Sequence, residues 1–203
     1  MKQHIADELL IEARVPKRFW GGIDTSDFFG SKSSLSTVTK YARECVASRV
    51  PDLSILFQGG ASSGKTYLMC GLVTTLLNHN FTAQYWSASD LAQGVLNKEL
   101  FLTDLISVQF LAIDDLSPAS NARFDQMRAE MILHVLKSRF NNKLNTFVAT
   151  TVCHSDSSVF TDQFGESMFQ FFAANAVVVA CKCDAIALRR RREGEKQKFV
   201  MES

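Results

Sequence analysis

Gly59 and, after four residues, Gly64-Lys65-Thr66 complete the pattern G-x-x-x-x-G-K-[ST] within residues 54–66, SILFQGGASSGKT. These types at this spacing suit one task, holding phosphate. Backbone N–H groups of such a loop and the positive end of the following helix converge on phosphate oxygens. Lys65 is placed to reach the β- and γ-phosphates of a nucleotide and Thr66 to offer its hydroxyl to Mg²⁺. Gly59, Gly60 and Gly64 allow backbone angles and a close approach that a Cβ would obstruct. Ala61, Ser62, Ser63 and Tyr67 complete the candidate nucleotide-binding set.

A second cluster lies about fifty residues on. Residues 108–115, VQFLAIDD, form a buried-strand run ending in two carboxylates. Asp114 suits the Mg²⁺-holding acid at a strand end, and Asp115 the carboxylate that orients and deprotonates an attacking water. Adjacent strand side chains point to opposite faces. The two can serve one site only if the chain bends after Asp114. Residues 145–151, NTFVATT, form a further strand ending in Thr150 and Thr151, whose hydroxyls suit a γ-phosphate reader or a water holder. Ordinary strand-end threonines are the plain alternative.

The elements that must position these groups alternate in type. Residues 55–57 read as the strand before the loop, and 67–77 as a buried helix after it. Residues 34–48 read as a helix with Leu35, Val38, Tyr41, Ala42 and Cys45 recurring at helical spacing, capped by Ser33 or Ser34. Residues 81–86 read as a strand, followed by a helix capped at Ser89 or Asp90. Residues 123–140 read as an amphipathic helix burying Phe124, Met127, Met131, Val135 and Leu136, with most of its charges solvated. Residues 155–172 read as one or two helices with a phenylalanine core, and 176–180 as a fifth buried strand. The expected architecture is α/β, a five-stranded parallel sheet between helices.

The 203 residues are 46% hydrophobic with net charge +1, which suits one globular domain and gives no whole-molecule argument for nucleic acid. Five cysteines without paired CxxC spacing read as reduced thiols. Residues 1–10 show no signal pattern, and no apolar run is long enough to span a bilayer, so a cytoplasmic location and no membrane partner are expected. The expected organisation is an N-terminal helix and connector at 1–20, with Ile5, Leu9 and Leu10 on one side and a possible partner contact. An ATPase core follows at 21–184 and a basic tail at 185–203.

In this order the features resemble the AAA+ ATPases of the DnaC-like helicase-loader family, which includes IstB-like transposition helpers. The resemblance covers about residues 15–192. It is carried by VPKRF, YARECVAS, GGASSGKTYLM, YWSASDL, FLAIDDLS, LKSRF and NTFVATT. It implies a P-loop NTPase of AAA+/ASCE type that hydrolyses ATP with Mg²⁺. Lys65, Thr66 and Asp114 take the nucleotide and metal roles, Asp115 the catalytic acid position, and Thr150 or Thr151 the first sensor. Relatives carry an arginine finger in the region matching residues 165–172, where this chain reads GESMFQFF. Arg139, Arg128 or Arg123 stands in, or hydrolysis in trans is weak. Arg189 or Arg190 is the candidate second sensor, and the C-terminal lid is reduced or absent. The implied function is an ATP-switched accessory protein that loads or remodels a replicative hexameric helicase on single-stranded DNA, with self-association through the ATP site. The alternatives are a transposition helper acting on a transposase and DNA, and a small nucleoside or nucleotide kinase. The kinase reading requires an arginine-bearing lid where residues 123–140 instead form an amphipathic helix.

Overall fold

The computed structural model describes residues 7–23, 28, 30–116 and 122–182, and of residues 122–126 the backbone alone. Ile5, the side chains of Arg123 and Phe124, Cys183, and the tail with Arg189 and Arg190 lie outside the described residues.

Short α1 (Asp7–Glu12) leads through a 3₁₀ turn (Lys17–Phe19) to α2 (Lys32–Val46). Five strands and six helices then follow: β1 (Ser54–Gln58), α3 (Lys65–Leu77), β2 (Ala83–Ser87), α4 (Ala88–Leu96), α5 (Leu102–Leu105), β3 (Phe110–Asp114), α6 (Ala122–Asn141), β4 (Asn145–Thr150), α7 (Ser157–Phe164), α8 (Glu166–Asn175) and β5 (Ala176–Ala180). The strands form one parallel sheet in the order β2-β3-β4-β1-β5. β4 therefore separates the strand before the glycine loop from the strand carrying Asp114.

Alternation along the strands builds two cores. Ile55, Phe57, Phe110, Ala112, Phe147 and Ala149 pack with α2 and α3. Leu56, Leu111, Ile113 and Val148 pack on the other face with α4, α6, α7 and α8. Because both faces are covered, β1, β3 and β4 are buried at every residue and read as continuous apolar runs.

The structure corrects several expectations. β5 is an edge strand, only partly buried, because among the described residues it pairs with β1 alone. α2 starts after Ser31, which makes no side-chain capping bond, so neither Ser33 nor Ser34 caps it. α4 follows β2 without a connector. Ser87 ends the strand and caps the helix, its Oγ accepting the Asp90 N–H at 3.0 Å. α6 buries Ala129, Ile132, Val135 and Leu136, together with Arg128 and Arg139, while Met127 is exposed.

Residues 7–15 join the main core. Leu10, Ala13 and Val15 are buried with α2 and α3, whereas Leu9 and Ile11 face outward. The Tyr85 N–H of edge strand β2 donates to the Ala13 carbonyl at 2.8 Å. The Arg14 guanidinium lies 3.7 Å from the Trp86 ring centre, a cation–π contact that pins the segment to the sheet edge.

Candidate phosphate-binding site

The glycine loop leaves β1 and enters α3 through positive φ at three residues, whereas Gly60, against expectation, has open space where a Cβ would sit. Gly59 has φ +150°, Ser62 +60° and Gly64 +89°. A Cβ on Gly59 would stand 2.1 Å from the Cys181 carbonyl oxygen, so the β1–α3 loop and the chain after β5 meet where no side chain fits. The Gly59 N–H donates to the Thr150 carbonyl at 3.3 Å, and the Cys181 N–H to the Gln58 carbonyl at 2.7 Å. Strands on both sides thus hold the loop.

Gly64, at the N-cap of the 13-residue α3, supplies no side-chain capping bond, and the first turn carries no acid. The positive end of the helix thus opens on the loop with neither a cap side-chain bond nor an acid of its own. The Lys65 Nζ folds back over the loop, donating to the carbonyls of Gly59 at 2.7 Å and Gly60 at 2.8 Å. Burial pulls its pKa below the ordinary lysine value, against the opposing pull of neighbouring Cys181, Asp114 and Asp115.

Thr66 and Asp114 lie 48 residues apart in the chain and meet at the site. The Thr66 hydroxyl donates to Asp114 Oδ2 at 2.7 Å. Asp114 ends β3 on the α3 face of the sheet, almost fully buried. Its Oδ2 also accepts the Tyr85 hydroxyl at 2.8 Å, and its Oδ1 accepts the Asp115 N–H at 2.8 Å. The chain bends as one shared site requires. Asp115 has φ +55°, a left-handed conformation that Asp tolerates better than most residues, and its side chain is exposed. Leu116 then returns to the sheet, donating to the Ala149 carbonyl at 2.8 Å.

The donor set fits Mg²⁺. A hydroxyl and a carboxylate are hard oxygen ligands, and Mg²⁺ commonly takes one or two carboxylates with phosphate oxygens and waters. Among the described residues no group of three or more His, Cys, Asp or Glu forms a self-sufficient metal cage.

Other predicted residues fall elsewhere. Thr150 is wholly buried, and its hydroxyl accepts the Val152 N–H at 3.1 Å, so the oxygen expected to read a γ-phosphate is turned into the strand end. Thr151 is exposed. Arg139 is not at the site. It is completely buried and donates to Thr146 Oγ1 and to the carbonyls of Leu105, Val108, Gln109 and Asn145. Those acceptors surround the beginnings of β3 and β4, the sheet end opposite the loop. A guanidinium so occupied cannot serve a neighbouring subunit. Arg128 is buried between α4 and α6, with Nη1 3.2 Å from Ser89 Oγ.

Tyr85 was missed by the sequence reading. A tyrosine in a strand is ordinary core material. Only its register, level with Ala112 and two residues short of the Ser87–Asp114 pair, brings its hydroxyl to the carboxylate. Burial, and then the charge of Asp114, raise its pKa, so the hydroxyl stays protonated and donates. Phe28 and Phe19 flank Tyr67 at the start of α3, with ring centres at 5.7 and 6.3 Å, so the aromatic lead-in packs beside the loop.

Solved structures share this fold. The DnaC helicase loader superposes with a TM-score of 0.67 at 19% identity, over 82% of this chain and 100% of that one. DnaI gives 0.64 at 16%, over 82% and 94%. The replication initiator DnaA bound to AMPPCP and single-stranded DNA gives 0.64 at 16%, over 84% of this chain and 51% of that one, so the chain spans about half of the DnaA structure. No protein-family model and no curated protein matches the sequence. The fold is that of the P-loop AAA+ ATPases, a five-stranded parallel sheet flanked by helices. The structural neighbours include a helicase loader, a replication initiation factor and a replication initiator.

Proposed function

We propose that the chain is an ATP-binding, ATP-hydrolysing accessory protein of DNA replication that acts on a replicative hexameric helicase at single-stranded DNA. The observation that carries this reading is the meeting of Lys65, Thr66 and Asp114 at the mouth of a capless helix, in a fold shared with a helicase loader along that loader's whole structure. Loop N–H groups and α3 bind the phosphates. Lys65 exchanges two loop carbonyls for β- and γ-phosphate oxygens. Thr66 and Asp114 would hold Mg²⁺, which would neutralise negative charge on the phosphate oxygens. Asp115, exposed at the strand end, orients and deprotonates the attacking water. Arg139 takes no part.

Hydrolysis in such a protein changes its own contacts with a partner, without chemistry on the partner. The outward-facing Leu9 and Ile11 of α1 are the proposed helicase contact. Size-exclusion chromatography with the hexameric helicase of the same host, with and without ATP·Mg²⁺, tests this. The reading predicts a complex whose lifetime depends on nucleotide and which Lys65→Ala no longer regulates. Separate elution in every nucleotide state would refute it.

A further inference from the structure

Tyr85 meets the proposed metal site from outside the glycine loop and outside the acidic strand. Its hydroxyl and that of Thr66 converge on the same oxygen, Asp114 Oδ2, at 2.8 and 2.7 Å, while Oδ1 is held by the Asp115 N–H at 2.8 Å. Both carboxylate oxygens are thus fixed by donors, and Tyr85 is the one donor among these three that neither the loop nor the Asp-Asp pair supplies. We propose that Tyr85 is a positioning residue of the magnesium site. It holds the Asp114 carboxylate in the plane that places Thr66 and Asp114 together on the metal of a bound nucleotide. This inference rests on the nucleotide reading above.

Three features make the contact more than incidental packing. First, Tyr85 is anchored at both ends. Its N–H is tied to Ala13 and its phenol to Asp114, so the hydroxyl is delivered from a fixed backbone. Second, strand register sets its height. Tyr85 packs against the core beside α3 and pairs with Ala112, two residues short of the Ser87–Asp114 pair, and from there its phenol reaches Asp114. Third, a phenol remains a donor where a carboxylate, amine or imidazole would add a charge beside the metal. A donor to a charged acceptor is worth about twice a neutral hydrogen bond. The donation draws some charge from the carboxylate, which weakens it as a ligand. It also removes the freedom of the carboxylate to rotate, which strengthens it. Outer partners of metal ligands ordinarily aid binding, and losing one typically costs about 10–100-fold in metal affinity. The orienting effect therefore prevails.

The test compares wild type, Tyr85→Phe and Tyr41→Phe by fluorescence titration with an ATP analogue, in EDTA and across a Mg²⁺ series. Tyr41 is the control. It too is a buried tyrosine with a bonded hydroxyl, joined to Leu53 and Asn145 at the opposite end of the sheet. Thermal melts confirm that each variant is folded. Tyr85→Phe is expected to raise the Mg²⁺ concentration for half-maximal tightening of nucleotide by about 10-fold, and Tyr41→Phe is expected to leave it at the wild-type value. The inference is overturned by any of the following results. In the first, Tyr85→Phe is less stable yet keeps the wild-type Mg²⁺ midpoint, which makes the hydroxyl a structural tie. In the second, both tyrosine variants shift the midpoint equally. A wild-type protein that binds no nucleotide at all would overturn the functional reading as well. A wild type that shows the Mg²⁺ response beside an unaltered Tyr85→Phe would overturn this inference alone.

Discussion

At the residue scale the site divides work between neighbouring acids by backbone conformation. Asp114 ends the strand buried and triply bonded, and Asp115 turns out through a left-handed φ. Asp115→Asn keeps the shape and removes the proposed base. It is expected to bind ATP within about threefold of wild type while steady-state turnover falls by about 100-fold or more, the usual range for losing a general base. Wild-type turnover in that variant would assign the base elsewhere. The cysteines also separate by environment. Burial pushes the thiols of Cys45 and Cys181 up to about 11 and Cys70 higher still, whereas Cys153 is exposed and its hydrogen bond to Ser155 lowers its pKa. Thiolate is the reactive form. Alkylation at pH 8, followed by mass spectrometry, should modify Cys153 before Cys45, Cys70 and Cys181. The loop and Asp114 were legible because phosphate and Mg²⁺ admit few solutions, and the solution is local in sequence. Tyr85 was not, because its partner lies 29 residues away and only strand register joins them.

At the element scale α6 shows why charge alone misleads. Arg139 reads as part of a charged helix face. Nothing in the sequence reveals that carbonyls from residues 105–109 and the start of β4 converge on it. The planar fork of a guanidinium can meet several fixed acceptors at once, and an ammonium cannot. Arg139→Met leaves those acceptors buried and unpaired, so it is expected to lower unfolding stability by about 3 kcal/mol or more, measured by urea denaturation. ATP turnover per folded molecule should not change, where a trans finger would lose it at every temperature. The helix caps were misplaced by two or three residues for a related reason. Several serines compete at each start, and the choice depends on where the strand or connector delivers the chain. The strands themselves were legible from their apolar runs. β5, equally apolar, gave no sign that it would occupy an edge.

At the scale of the whole molecule, strand order brings together what the sequence keeps apart. With β4 inserted between β1 and β3, the loop, Asp114 and the end of β4 open at one end of the sheet, the carboxyl end of its parallel strands. The α/β class and the parallel sheet followed from alternating strand and helix patterns. The attachment of residues 7–15 to β2 did not, since it rests on one backbone hydrogen bond and an arginine stacked on a tryptophan. Among the described residues no helix is long and apolar enough to cross a membrane. The proposed switch requires before anything else that the loop of this fold hold ATP. The direct measurement is calorimetric titration of ATP·Mg²⁺ into wild type and Lys65→Ala side by side. Removing a charged donor to phosphate should cost at least about 2 kcal/mol, or roughly 30-fold in Kd, with the melting transition of the unliganded protein retained. Equal affinity in the two proteins, or no binding heat in the wild type, would contradict the assignment of the site.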